Sequence, residues 1–175
     1  ALASTSAGYA FSLGLRDNEV GREAMLRHVR EIVGATDLPV SADLENGFGD
    51  DPQTVAETIR LGAAAGLVGG SIEDASGDAS QPIYDLGQAV ERIAAAAEAA
   101  HALPFAFMLT ARAENFLHGR RDLDDTIRRL QAFEQAGADV LFAPGLPDLE
   151  AVRTVCASLT KPVSFMVGIP GRSFS

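Results

Sequence analysis

The chain has 175 residues, 47% of them hydrophobic, and a formal charge of −10 at pH 7. That is enough apolar chain to bury a core as one domain and too much for a disordered polymer. The negative balance excludes a surface that tracks nucleic-acid phosphates or anionic lipid. The single cysteine, Cys156, excludes an internal disulfide. With no signal-peptide pattern, the expected compartment is a reducing cytoplasm. No apolar run approaches the ~20 residues of a membrane span, so no membrane partner is expected.

Ala1 to Ser6 reads as the tail of a strand, with Ser4, Thr5, Ser6 and Gly8 as its small polar end. The chain runs on through Leu13-Gly14-Leu15-Arg16-Asp17. A helix follows, with Met25, Leu26, Val29, Ile32 and Val33 on one face and Gly34 near its stop. The second strand opens at Val40 after Leu38-Pro39. It ends in the carboxylates Asp43 and Glu45, which an extended chain points to the same side. Gly47 and Gly49 allow a tight turn and close approach to a ligand. Asp50-Asp51-Pro52 reads as a helix start, and that helix turns Val55, Ile59 and Ala63 inward and stops at Gly66.

Leu67 to Asp74 reads as the third strand, ending in Glu73-Asp74 ahead of a loop of small residues. Asp85 is placed to cap a helix through Val90, Ile93 and Ala97, whose alanine run from Ala94 marks tight packing. Pro104 to Thr110 is expected as a fourth strand, followed by Arg112 and Glu114. A helix from Leu123 carries Ile127, Leu130 and Phe133 inward and ends at Gly137. Asp139 to Ala143 is a fifth strand, Asp148 caps a last helix using Val152, Val155 and Leu159, and Val163 to Val167 is a sixth strand. Cys156 is expected in the core on that last helix, and residues 168–175 as terminal loop.

Strand and helix therefore alternate with a period of roughly 30 residues, which argues a parallel sheet with right-handed crossovers. The strands read as apolar throughout, as burial on both faces requires. An open doubly wound sheet and a (β/α)8 barrel both fit the alternation. No G-x-G-x-x-G follows the first strand, which counts against dinucleotide binding. Polar groups at the ends of several strands favour the barrel. The expected architecture is a single domain over residues 1–175: a TIM-type barrel seen as about six βα units, with both ends missing.

Asp43, Glu45 and Glu73 are hard oxygen donors at neighbouring strand ends and suit Mg²⁺, with water completing the octahedron. Asp50, Asp51, Asp85 and Asp148 are read instead as helix caps. Arg112 is placed to fork onto a substrate carboxylate or to pair with Glu114. Ser6 and Gly8 offer a hydroxyl and backbone N–H groups to an anion, or form an ordinary turn. His118 reads as a surface residue, with no second histidine at metal spacing.

Taken together, Ser6-Ala7-Gly8, Leu13-Gly14-Leu15-Arg16-Asp17, Asp43-Leu44-Glu45-Asn46-Gly47-Phe48-Gly49, Ile72-Glu73-Asp74 and Thr110-Ala111-Arg112 give the chain a resemblance. It resembles the isocitrate lyase/phosphoenolpyruvate mutase superfamily, barrels that act on 2-oxo and related acids with Mg²⁺. The resemblance implies that Asp43, Glu45 and Glu73 hold Mg²⁺, partly through water. It implies that Ser6, the Ala7 and Gly8 backbone and Arg112 grip the substrate carboxylate, with Asp17 nearby. It implies strands beyond both ends of this sequence, and a homo-oligomer when full length.

Two departures bear on the chemistry. The superfamily's lyases carry a Lys-x-Cys-Gly-His type loop after the third strand, and its mutases and phosphonopyruvate hydrolases a Lys-Thr-Asn type. Here that loop is Ala75-Ser76-Gly77-Asp78-Ala79-Ser80-Gln81. The lyases also place a glutamate near Pro144, where this chain has Ala143-Pro144-Gly145. True isocitrate or methylisocitrate cleavage is therefore not expected.

The resemblance instead implies an Mg²⁺-dependent lyase, mutase or hydrolase that breaks or forms a C–C or P–C bond through an enolate. The substrate is expected among pyruvate, oxaloacetate, 2-oxoglutarate and phosphonopyruvate, with Asp17 or a water moving the proton and residues 75–81 acting as a mobile lid. A non-catalytic 2-oxo-acid binder and a barrel aldolase or other metal lyase outside the family are the alternatives.

Overall fold

The computed structural model describes residues 1–167. Its elements in order are β1 (Leu2–Ala3), α1 (Ser6–Ser12), α2 (Arg22–Gly34), β2 (Val40–Asp43), α3 (Pro52–Ala64), β3 (Gly69–Glu73), α4 (Leu86–His101), β4 (Met108–Arg112), α5 (Leu123–Gln135), β5 (Val140–Phe142), α6 (Leu149–Ala157) and β6 (Val163–Ser164). The terminal loop expected over 168–175 lies outside the described residues. Among those described, no helix is long and apolar enough to cross a membrane.

The six strands lie in sequence order, β1-β2-β3-β4-β5-β6, each parallel to the next. A doubly wound sheet reverses its order at a switch point, and there is none here. The sheet is an arc of barrel wall, with helices on its outside and β1 and β6 as its edges. The strands alternate rather than running apolar throughout. Val40 and Ala42 are buried while Ser41 and Asp43 are half-buried, and Leu109 and Ala111 are buried between Thr110 and Arg112. The buried set joins the core under the helices. Ser41, Asp43, Ser71, Glu73, Thr110, Arg112 and Phe142 line a cavity on the other face.

The strands are mostly shorter than those read in the sequence: β1 is Leu2–Ala3, β3 Gly69–Glu73 and β5 Val140–Phe142. β4 begins at Met108, where pairing with Gly69 starts, and not at Pro104, which has no N–H to give a ladder. Arg112 is therefore the last residue of its strand. β6 ends at Ser164, short of Val167. Ser6 is not a strand end but the first residue of α1, for which Thr5 is the cap: its Oγ1 accepts from the Gly8 N–H.

Asp85 and Asp148 cap their helices as read, accepting from the N–H groups of Gln88 and Ala151, and Asp122 caps α5 in the same way through Asp125. Asp51 stands at the N-cap of α3 but makes no side-chain cap bond. Asp50 is not a cap; it accepts from the Tyr84 hydroxyl. The alanines of α4, with Ala96, Ala97, Ala99 and Ala100 all buried, let it lie close against α3, the most extensive helix pairing in the molecule. α3 and α5 leave by the same turn. Gly66 and Gly137 stand at φ 99° and 106°. In each turn the glycine N–H reaches back three residues, and the N–H after it reaches back five: Leu67 to the Gly62 carbonyl, Ala138 to the Phe133 carbonyl. That is the Schellman pattern, which needs the left-handed backbone glycine adopts freely.

Cys156 is exposed, not core. Ala151 and Val155, four residues apart, own the buried face of α6, and the residue after Val155 is turned about 100° away from it. Phe133 on α5 is fully buried. Phe133→Ala is expected to lower unfolding free energy by ~3–5 kcal/mol. Cys156→Ser should shift it by no more than ~0.5 kcal/mol, as exposed sites do. Urea titration of both variants checks this pair of outcomes.

Candidate functional site

Parallel strands in sequence order bring their carboxyl ends side by side, and the polar residues of this chain collect there. In β3 and β4 Glu73 pairs in register with Arg112, and Asp43 at the end of β2 pairs with Ser71. The Arg112 guanidinium, 15% exposed, gathers a carboxylate from each side. It reaches Asp43 Oδ1 at 3.1 Å, Glu73 Oε2 at 3.2 Å and Glu114 Oε1 at 2.9 Å. Its underside lies over the Phe142 ring, 5.4 Å from the centroid. Burial works against its charge, but the surrounding carboxylates outweigh burial and hold the guanidinium firmly protonated. Burial pushes the Glu73 and Glu114 carboxyls up, while Arg112 pulls both back down.

Asp43 is the most heavily bonded group of the site. Its Oδ2 accepts from Ser6 N–H and Ser6 Oγ at 3.1 and 2.8 Å. Its Oδ1 takes Arg112, the Glu45 N–H at 3.3 Å and, weakly, Ser71 Oγ at 3.5 Å. Ser6 and Ala7 line the cavity, together with Asp17; Gly8 lies within α1 and does not. The cavity measures about 640 Å³ and takes its remaining walls from Leu117, His118, Ser164 and Met166, among others.

Glu45 does not share Asp43's side of an extended strand. β2 ends at Asp43 and the backbone turns left-handed at Glu45, φ 51°, so the period of two is lost. Glu45 is buried and off the cavity lining. Its Oε1 has no hydrogen-bond partner among the described residues, and burial, with Asp43 and Asp17 adding to it, raises its pKa to about 7.

Behind the site stand two arginines that the apolar spacing of their helices did not single out. Arg92 of α4, 1% exposed, donates to the Asn46 and Gly49 carbonyls and lies 4.2 Å from the Tyr84 ring centroid. It holds the glycine turn after β2. Arg129 of α5 donates to Asp74 Oδ2 at 3.1 Å, to the Tyr84 carbonyl at 2.9 Å and to Asp125. Asp74 Oδ1 in turn accepts the Glu114 N–H at 2.8 Å, so α5 fixes the backbone that presents Glu114 to Arg112. Burial raises the Asp74 carboxyl to about 6 against the pull of that bond and of Arg129.

The loop read as a lid is tied to itself. Ala75 bridges to Ile83, the Ser76 N–H donates to the Pro82 carbonyl, and Asp78 Oδ1 accepts from both the N–H and the Oγ of Ser80. Ser76, Asp78 and Gln81 line a smaller cavity of about 170 Å³ beside Asp50 and Tyr84. No residue of 75–81 lines the larger one.

The donor chemistry fits a divalent cation. Asp43, Glu73 and Glu114 stand around Arg112, Glu45 adds its charge to those of Asp43 and Glu73, and its buried Oε1 is left without a partner among the described residues. Among the described residues no three acidic or histidine side chains form a ready cage.

Strand order, helix layer and cavity define a barrel-type α/β protein with its polar site at the carboxyl ends of the strands. The chain belongs to the phosphoenolpyruvate phosphomutase family, whose model matches residues 1–175, within the isocitrate lyase/phosphoenolpyruvate mutase superfamily. It is 31% identical over 161 residues to 2-methylisocitrate lyase of Escherichia coli (strain K12), covering 88% of this chain and 53% of that protein. It is 30% identical over 144 residues to an oxaloacetate decarboxylase of Bradyrhizobium diazoefficiens, covering 79% and 48%. The chain thus spans about half the length of the curated relatives it matches. A solved Burkholderia cenocepacia J2315 protein, described only in general terms as a lyase/mutase, is 62% identical with a TM-score of 0.96, covering 99% of this chain and 62% of that one. The fold recurs at 24% identity and TM-score 0.84 in phosphonopyruvate hydrolase solved with oxalate and Mg²⁺, covering 93% and 58%.

Arg112→Met is expected to leave Asp43, Glu73 and Glu114 facing one another without their counter-charge. Without added metal, the loss at neutral pH should be ~3–5 kcal/mol, the cost of breaking a buried pair. A carboxyl whose folded pKa exceeds its unfolded value costs stability as pH rises above that unfolded value, about 4.3. Removing Arg112 enlarges that upward displacement. The deficit against the parent should therefore be smallest near pH 4 and widen toward neutrality in urea titrations at stepped pH; a deficit flat with pH would contradict the hub.

Proposed function

We propose that this chain acts, with Mg²⁺, on a small 2-oxo acid and breaks or forms a C–C or P–C bond through an enolate. The observation that carries the reading is the Arg112 hub, one guanidinium among Asp43, Glu73 and Glu114 beside Ser6. Fixed positive charge next to hard oxygen donors is what a developing enolate oxygen requires. The names of the relatives agree with it: 2-methylisocitrate lyase and oxaloacetate decarboxylase both work on short oxidised acids, and a neighbour in fold binds oxalate with Mg²⁺.

In this reading Asp43 and Glu73 hold the ion, directly or through water, and Glu45, whose Oε1 has no partner among the described residues, serves its water shell. The ion supplies Lewis-acid stabilisation of the oxo oxygen. Ser6 and the Ala7 backbone, both on the cavity wall, orient the substrate carboxylate. Gly8 acts indirectly: a Cβ there would meet Thr5 Cγ2 at 2.7 Å, so glycine keeps the start of α1 in place. Arg112 faces the same charge from the β4 side. Asp17, which also lines the cavity, accepts the proton in this reading. The lyase cysteine has no counterpart: Cys156 is exposed on α6, outside the cavity.

Asp43→Ala is expected to abolish Mg²⁺-dependent binding of oxalate in calorimetry, by a hundredfold or more, while circular dichroism and cooperative unfolding persist. Parental binding in that variant would displace the site. Turnover of oxaloacetate, phosphonopyruvate and methylisocitrate by the parent, set beside its binding, separates an enzyme from a binder. Binding with no turnover of any of them would favour the binder.

A further inference from the structure

We propose that Tyr84 is a positioning residue for Glu45: its hydroxyl fixes the left-handed turn on which this carboxylate leaves β2. The inference rests on the 2-oxo-acid reading above, in which Glu45 serves the water shell of the ion.

The turn is costly to hold. Glu45 and Phe48 stand at φ 51° and 61°, with Gly47 between them at 81°. Glycine takes such backbone freely, but a residue with a Cβ keeps it only where its surroundings impose it. Three sets of contacts do so here. Arg92 donates to the Asn46 and Gly49 carbonyls. The Asn46 side chain folds back along the turn, its Oδ1 accepting the Phe48 N–H at 3.0 Å. Asn46 Nδ2 then donates to the Tyr84 hydroxyl at 3.1 Å. Tyr84 thus orients the Asn46 amide, and that amide closes the turn directly after Glu45.

The other end of Tyr84 is anchored to β3. Its N–H donates to the Asp74 carbonyl at 2.9 Å, and its carbonyl accepts from Arg129, which also binds Asp74 Oδ2. Asp74 follows Glu73 directly, and the Glu73 N–H donates to the Glu45 carbonyl at 3.0 Å. Tyr84 is therefore a brace between the turn that carries Glu45 and the strand end that carries Glu73. Packing alone does not call for its hydroxyl. The residue is 3% exposed and its ring lies against the Arg92 guanidinium, a place that phenylalanine would fill as well. The hydroxyl is instead used twice, donating to Asp50 and accepting from Asn46, and both bonds end on the segment between β2 and α3. Burial, with the Asp50 bond adding to it, raises the hydroxyl to about 12, so the donor keeps its proton.

The test compares the parent chain with Tyr84→Phe, Asn46→Ala and the double variant. Oxalate binding in the presence of Mg²⁺ is measured by calorimetry, and amide hydrogen exchange of the metal-free proteins by NMR. Contacts that orient a metal's donors are worth ~10–100-fold in affinity. Tyr84→Phe is therefore expected to lower oxalate affinity ~10-fold or more. Its Phe48 amide should exchange ~10-fold faster, the worth of about one hydrogen bond, with the amides of α5 at parental rates. Because Tyr84 acts through Asn46, the double variant should bind oxalate within about threefold of Asn46→Ala alone. Parental oxalate affinity or parental Phe48 exchange in Tyr84→Phe would overturn the role of Tyr84. So would faster exchange throughout α5, the mark of a merely structural hydroxyl, or single-variant losses that multiply in the double variant. A parent that fails to bind oxalate with Mg²⁺ would overturn the 2-oxo-acid reading, and this inference with it.

Discussion

The architecture rests on one electrostatic constraint: several carboxylates at adjoining strand ends must share one guanidinium. Asp43, Glu73 and Glu114 come from β2, β3 and the segment after β4, and each is within 3.2 Å of Arg112. Like charges that close raise one another's cost of ionisation unless a positive charge sits among them. The strand register is what permits it. Pairing Glu73 with Arg112 places acid and base at the same height of the wall, and a slip by one residue would turn both into the helix layer.

The outer layer maintains that height. Arg92 and Arg129 start from helices on the far side of the sheet and reach back to loop carbonyls and to Asp74. Both are nearly fully buried; Arg129 is bonded to Asp74, Asp125 and the Tyr84 carbonyl, while Arg92 gives its two terminal nitrogens to carbonyls and its Nε has no partner among the described residues. Removing Arg129 would leave the buried Asp74 carboxylate and Tyr84 carbonyl without that donor, a larger loss than the bond itself is worth. The loops of the site are therefore set in part from outside by helix side chains, and Arg92 braces the Gly47-Phe48-Gly49 turn from its two flanks.

Much of this was legible in the residues. The βα alternation, the caps at Asp85 and Asp148, and the placing of Asp43 and Glu73 at strand ends with Arg112 close by follow from local rules of spacing and capping. Alternation on the inner face was also readable, in Val40-Ser41-Ala42-Asp43, though the short apolar runs obscured it. Other features were not local. Glu45 leaves the strand period because the chain turns left-handed there, and no pattern of two announces that. Asp50 stands where a cap belongs, but Tyr84, 34 positions away, claims its oxygen. Arg92 looks like a solvated helix residue until the turn it must hold is known. Cys156 falls one position off the buried stripe of α6, within the ambiguity of counting a helix face. The family motifs pointed to the superfamily directly, because they name residues that the sheet order brings together.

The matched turns after α3 and α5 carry a consequence for how such a chain can be recombined. Gly66 and Gly137 close their helices with the same two hydrogen bonds and hand the chain to the next strand in the same direction. A crossover placed inside either turn joins a helix to a foreign strand without altering the backbone at the joint. Each glycine also packs against the preceding helix, where a Cβ would meet Val33 Cγ1 at 2.7 Å or Ala97 Cβ at 2.9 Å. The joint is thus also a gauge: a transplanted unit seats only if its neighbour leaves room for a bare backbone. Chimeras of related barrels cut at these glycines inherit the wall intact and exchange whole sets of site loops, so chemistry can be shuffled while the scaffold is conserved.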